Sequence, residues 1–258
     1  MRICAYCGSK GKMTKEHLYP NCLQERRQGD RVYSSNAIPD RFVSGSALQI
    51  KDVCETCNNE VLSELDQYFC GLYESLIAGR IIQPGEQILF RYEYHPLLRW
   101  LLKMLYNNAR AGKAARKHTE RLKEYSSYII GKEGTPTEIL LFIRLTVPFE
   151  GESGELLPSH MTCGLIDLKA FDYRLGETYL VSIDSFSFIV VILTGASSIF
   201  RRKAMKALEE DSSLGKTSRL VPGTGQTELV ASDVTAFHVD GQLVVSDWEK
   251  WKHEVRQE

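Results

Sequence analysis

The chain has no long apolar run. Its longest, Phe188–Leu193, is short and rich in β-branched residues, far below the ~18 residues that a membrane-crossing helix needs. Its first residues, Met1-Arg2-Ile3-Cys4, show no apolar stretch of the signal-peptide kind, so the expectation is a cytoplasmic protein without a membrane partner. Eight prolines and nineteen glycines in 258 residues leave no room for a low-complexity tract, and no internal repeat is visible. There is little net charge. At −1 the overall balance alone argues against binding a polyanion.

What is present points to a folded protein. Hydrophobic residues make up 43% and charged residues 25%, which excludes a disordered or fibrous chain. The length exceeds a common domain of about 100–150 residues, so either one large domain or a small one joined to a larger one is expected.

The near-zero charge hides a division. Residues 91–132 hold ten Lys or Arg against three Glu, whereas residues 133–258 hold twelve basic and nineteen acidic residues. Residues 1–75 are nearly balanced. A concentrated basic segment can hold phosphates whatever the global sum, because screening confines each charge to about 8–10 Å. The alternative is an ordinary solvated helix face.

Periodicity supplies the organisation. Residues 1–59 contain many turn-formers, and 24–46 read as polar loops. From Glu60, Val61, Leu62, Leu65, Tyr68, Phe69, Leu72 and Leu76 recur at helical steps, with Gly79 as a stop. A long helix or helical pair is predicted over 95–126, broken near Gly112. Strands are predicted at Tyr128–Ile130, Glu138–Val147, Thr162–Asp167, Thr178–Ile183 and Ser187–Leu193. A helix at Ser198–Glu209, a loop over 211–226, a strand at Glu228–Val239 and a closing helix at Ser246–Val255 complete the reading. The fold class is α+β. The boundaries are a small zinc-braced head at 1–79, a linker and basic helical segment at 80–132, and an acidic α+β part at 133–258 that can form one unit with residues 90–132.

Seven cysteines without an export signal argue against a disulfide framework. Four of them form two pairs, Cys4-Ala-Tyr-Cys7 and Cys54-Glu-Thr-Cys57. Four thiolates at such spacings suit a structural, tetrahedral Zn²⁺. Gly8 follows the first pair, where a knuckle often needs positive φ. A redox Cys-x-x-Cys would sit in a βαβ unit, and none is visible. Cys22, Cys70 and Cys163 read as small buried residues. Between the pairs stands Glu16-His17-Leu18-Tyr19-Pro20, which offers one hard oxygen beside one titratable nitrogen. Asn58-Asn59 follows the second pair, and Asn59 can cap the helix that contains Asp66.

Taken in order, these pieces resemble the HNH endonucleases, over about residues 3–66, and most closely those whose ββα-metal motif is braced by a four-cysteine zinc in a treble-clef-like head. The resemblance implies an endonuclease that hydrolyses phosphodiester bonds in nucleic acid, DNA ahead of RNA, in a defence or mobile-element setting. By position His17 would be the general base, Glu16 a ligand of a catalytic Mg²⁺ or Mn²⁺, and Asn58 a further ligand. Asp66 would be a partner behind the ligands, or a solvent-facing helix residue. The family's middle Asn, which orients the base, has no counterpart in Ala47–Val53; a backbone carbonyl or Gln49 can take its place, and Asn36 lies at loose spacing. Lys103, Arg110, Lys113, Arg116 and Lys117 would then form a phosphate track beside the site. The acidic part would serve as a dimerisation or partner-docking surface. The competing reading is a non-catalytic zinc module that binds nucleic acid or protein.

Overall fold

The computed structural model describes residues 2–20, 22–23, 32–33, 42–43, 49–111, 116–150, 156–157, 161–166, 171–195, 197–210 and 216–231. The chain is mixed α+β, with the four-cysteine cluster near its N-terminus. The expected Asn36, Lys113, the strand reaching Val239 beyond Ala231, and the closing helix lie outside the described residues, as does the side chain of Arg116.

Strands β1 (Arg2–Ile3) and β2 (Lys10–Gly11) form a short antiparallel hairpin, and β3 (Met13–His17) follows at once. Two further short strands, β4 (Val32–Tyr33) and β5 (Phe42–Val43), pair with each other. Strand β6 (Gln49–Cys54) returns antiparallel to β3, with a register break between Thr14 and Glu16. After the second cysteine pair the chain turns helical through π-helical Cys57–Leu62, α1 (Ser63–Leu72) and π-helical Tyr73–Ile77. Leu62, Leu65, Phe69 and Ile77 are buried along it, which is the apolar stripe that the sequence repeats.

Strand β7 (Gln87–Arg91) was not expected from the sequence; it leads into α2 (Tyr94–Ala111). Helix α2 is buried nearly all round: Leu97, Leu98, Trp100, Leu101, Leu102, Met104 and Leu105 are closed to solvent, and so are Lys103 and Asn107. A helix of that kind lies inside a protein, not on its surface. Trp100 stacks on Phe69 of α1 at 3.5 Å between ring centroids, with neither residue exposed. Removing such a buried aromatic costs about 3–5 kcal/mol.

Helix α2 is described to Ala111 and a second helix, α3 (Arg116–Lys123), follows; the expected break at Gly112 lies outside the described residues. The expected strand at Tyr128–Ile130 is instead the short helix α4 (Ser126–Ile129). Its short apolar run packs beside α2, where Arg99 Nε donates to Ile129 O at 2.8 Å. Gly131, at φ 74°, then closes it: Gly131 N–H donates to Tyr128 O and Lys132 N–H to Ser127 O.

The remainder builds one five-stranded antiparallel sheet from β8 (Ile139–Leu145), β11 (Met161–Ile166), β12 (Gly176–Ile183), β13 (Phe186–Leu193) and β14 (Ser218–Leu220), in the order β11-β12-β13-β8-β14. Between β8 and β11, β9 (Phe149–Glu150) pairs with β10 (Leu156–Leu157). Helix α5 (Ser198–Glu210) precedes β14. Strand β15 (Gln226–Val230) pairs with β7, so the loop expected over 211–226 contains β14 and ends in β15. Ile143, Val181, Phe188 and Val190 face α2 and belong to a core that includes Cys4, Met13 and Phe69 of the head. Phe142, Leu180, Ile189 and Val191 face Ala204 and Leu208 of α5. Buried on both faces, β13 reads as continuous apolar sequence.

Candidate metal centre and the polar cluster behind it

The first knuckle lies between β1 and β2. Cys4 N–H donates to Ser9 O at 2.8 Å and Gly8 N–H to Cys4 O at 3.0 Å; Gly8 adopts φ 73°, as its place predicts. The second knuckle is carried by the end of β6, where Cys54 N–H points at Cys4 Sγ at 3.4 Å. The four sulfurs of Cys4, Cys7, Cys54 and Cys57 all lie within 4.8 Å of one another, and Cys7 and Cys54 stand 3.6 Å apart. Thiolates bound at about 2.3 Å around a tetrahedral zinc would be about 3.8 Å apart, so the donor set fits that ion. Desolvation pushes the thiols of Cys4 and Cys57 up. It acts the same way on Cys7, but hydrogen bonds to Ser9 and the neighbouring thiols outweigh it and bring Cys7 down to about 6.

The residues around this centre come together from three elements. Asn58, directly after Cys57, reaches back to β3 and donates through Nδ2 to Thr14 Oγ1 at 2.8 Å and to Lys15 O at 2.9 Å. Its Oδ1 accepts no hydrogen bond from the described residues. His17, half-exposed at the end of β3, meets Gln49 of β6: the ring Nε2 is 2.7 Å from the amide Nε2. An amide offers a donor or an acceptor by a half-turn about its last bond. As placed, the amide nitrogen faces the ring, so Gln49 donates to His17 Nε2 and the ring proton sits on Nδ1; a half-turn of the amide would move that proton to Nε2 and free the Nδ1 lone pair, the form a base requires.

Glu16 does not share that surface. Its carboxylate is buried, with Oε1 2.8 Å from Lys103 Nζ and 3.2 Å from the Asn107 amide that donates to it. Lys103 also donates to both Asp66 oxygens at 2.6 Å, and Trp100 Nε1 donates to Asp66 Oδ1 at 3.1 Å. Desolvation alone would lower the Lys103 ammonium, but Asp66 and Glu16 more than offset it and the net direction is up. An internal cation thus stands between the two carboxylates assigned to a catalytic divalent ion. In this arrangement Lys103 Nζ holds Glu16 Oε1 and both Asp66 oxygens, so the two carboxylates serve an internal cation.

The same network corrects the phosphate track. Lys103 has no solvent exposure. Arg110 is buried between rings, 4.1 Å from the Tyr106 centroid and 4.9 Å from that of Tyr6, with Nε 3.0 Å from Asp52 Oδ2. Neither reaches a phosphate. Of the five track residues only Lys117 is described with an exposed side chain. Trp100, Lys103, Asn107 and Arg110 form one stripe of α2, and Asn107 joins it to the head: its Oδ1 accepts from Tyr6 OH at 2.6 Å and from Arg110 Nη2 at 2.8 Å. Their spacing of three and four residues was a visible signal for this shared face.

A second correction concerns the spare cysteines. Cys22 and Cys70 form a disulfide across a sequence separation of 48, with Cα atoms 6.3 Å apart, while Cys163 is free and buried. Among the described residues no helix is long and apolar enough to cross a membrane, and no second group of three His, Cys, Asp or Glu ligands converges. No family model, curated protein or solved structure matches the chain.

Proposed function

We propose that the chain is an HNH-type, zinc-braced nuclease that hydrolyses phosphodiester bonds in nucleic acid, DNA ahead of RNA. The observation that carries this reading is the meeting of separated motif pieces beside the cysteine cluster: Asn58 on Thr14 and Lys15, and Gln49 on His17. A zinc that only held the fold would not require a half-exposed imidazole with one nitrogen engaged and the other without a partner among the described residues.

In this reading the zinc takes no part in chemistry. It fixes β3, β6 and the following helix, a ββα-metal arrangement, so that His17 and Asn58 share one face. In this reading Gln49 turns its amide oxygen to His17 Nε2, and the ring accepts the proton of the attacking water at Nδ1. Asn58 Oδ1 is the open acceptor on that face. The divalent ion that the resemblance implies is left to experiment, since Glu16 and Asp66 hold Lys103.

The test is cleavage of plasmid, single-stranded DNA and tRNA with Mg²⁺, with Mn²⁺ and with a chelator, beside His17→Ala. Loss of the base should reduce the rate by about 10²–10⁴. The second reading, a non-catalytic zinc module, is favoured by one observation: both carboxylates expected to serve a catalytic ion are paired internally with Lys103. If wild type and His17→Ala are equally inert under every metal while both keep zinc, the second reading replaces the first.

A further inference from the structure

Burial of Lys103 and Arg110 removes the phosphate-binding role that the sequence suggested for them, and leaves the cations that remain outside. Arg2 on β1, Lys10 on β2, Lys12 in the following turn, Lys15 on β3 and Lys51 on β6 are all exposed. None of them forms an ion pair with a described residue. The acids of the same strands are spoken for: Glu16 faces Lys103 and Asp52 pairs with Arg110. Among the described residues the exposed acids of the head, Glu55, Glu60, Glu64 and Glu74, sit beyond Cys54, in the helical stretch that follows β6.

We propose that Arg2, Lys10, Lys12, Lys15 and Lys51 form the surface that grips the phosphate backbone of a nucleic acid. The proposal rests on the nuclease reading for the identity of the polyanion and deepens it by naming where that polyanion lies. Strand pairing sets the layout. Ile3 stands opposite Lys10 and Arg2 opposite Gly11, and Arg2 Nη1 donates to Lys51 O at 3.1 Å, so the hairpin lies against β6. Lys15 falls at the register break between Thr14 and Glu16, across from Lys51 and Asp52. Breaks of this kind re-aim a side chain next to a site. The Lys15 carbonyl is the one that receives Asn58 Nδ2, and His17 lies two residues on. The cations therefore border the proposed chemistry.

Energetics point the same way. Paired strands lie about 4.8 Å apart, so Lys15 and Lys51, across from each other on β3 and β6, fall within a screening length, and Arg2 reaches the Lys51 carbonyl beside them. Like charges on adjacent strands destabilise a ribbon. A polyanion laid across them reverses that repulsion and releases its own counterions.

The test measures binding and cleavage separately, on the full chain. Fluorescence anisotropy of a short labelled DNA duplex, the matching single strand and an RNA duplex is followed over about 50–300 mM salt, in a His17→Ala background so that substrate survives. The variant carries Arg2→Gln, Lys10→Gln, Lys12→Gln, Lys15→Gln and Lys51→Gln; a control carries Lys117→Gln, Arg202→Gln and Lys203→Gln, exposed positions on α3 and α5. The log–log salt slope on duplex DNA should fall by about 0.9 for each phosphate that is no longer neutralised, with affinity at the lowest salt down at least roughly tenfold, and the control unchanged. Preference among the three probes identifies the nucleic acid. An unchanged slope, an equal drop in the control, or no binding by the parent chain overturns the proposal. So does loss of zinc from the quintuple variant, which would assign the lysines to the charge of the thiolate cluster. Weakened binding in a protein that never cleaves sinks the nuclease reading alone; cleavage with an unaltered slope sinks the surface alone.

Discussion

Lys103 Nζ stands 2.8 Å from Glu16 Oε1, with the ammonium closed to solvent and the carboxylate nearly so. The two residues come from helix and strand far apart in sequence, and Asp66 from a third element completes the group. Removing one partner of such a cluster leaves an uncompensated buried charge, which costs about 3–5 kcal/mol. Lys103→Met should therefore lower the unfolding free energy by that amount in urea titrations. Adding Glu16→Gln should recover part of the loss, and a double-mutant cycle would show the coupling.

The same ammonium has a pH signature. Its folded value lies above the ordinary 10.5, so its stabilisation is complete below that value and is lost as pH rises through the folded value. Tyr6 acts in the opposite sense at the level of charge but in the same direction of pH, because burial raises its phenol above the ordinary 10.0 and keeps it protonated in the fold. Unfolding free energies of the wild type and of Lys103→Met should hence converge above pH 10.5, the difference isolating the lysine from the tyrosines.

Arg110 stacks against Tyr6 and Tyr106 while holding Asp52. A desolvated stack of this kind is worth about 2 kcal/mol, and a lysine lacks the planar face to replace it. Arg110→Lys should lower the thermal midpoint and leave the salt slope of nucleic-acid binding untouched. A lowered slope would return Arg110 to the phosphate-binding residues.

Metal content tests the cysteine cluster. The purified chain should carry one zinc, measured by atomic emission, and Cys54→Ser should retain only a small fraction of it. Apparent binding energies of about 10–16 kcal/mol for such sites predict that the head unfolds when the ion is removed. Near-UV dichroism of Tyr6, packed edge-on against Tyr106 at 5.4 Å, reports that unfolding.

The Cys22–Cys70 bridge predicts a thiol count. Denatured, metal-free chain should titrate with five free thiols before reduction and seven after it. Closing a loop of this size stabilises by about 2–4 kcal/mol, so Cys70→Ser should show a matching decrease in equilibrium unfolding.

Local signals made part of this structure legible. The helix expected at Ser198–Glu209 is found at Ser198–Glu210, and the strand expected at Ser187–Leu193 is found at Phe186–Leu193, because each declares itself within a single window of residues. The four-cysteine cluster was legible for the same reason, two close pairs of one soft donor. Strand β7 was missed because its short alternation of Ile88 and Phe90 gains meaning only from β15, far along the chain. The disulfide was missed because cysteine pairing cannot be deduced from sequence. Lys103 was misplaced because a charge on an amphipathic pattern defaults to the solvated side, whereas here the polar stripe of the helix is itself buried against a second layer.

Helix α2 gives the head something it cannot make from its own residues. Excised at residue 79, the piece that holds the cysteine cluster would keep the acids at 16 and 66 and forfeit the lysine that reconciles them. The module is therefore not a transplantable cassette. Anyone fusing it to another protein must bring along the later helix, and gene truncations that spare every motif residue will still unsettle it.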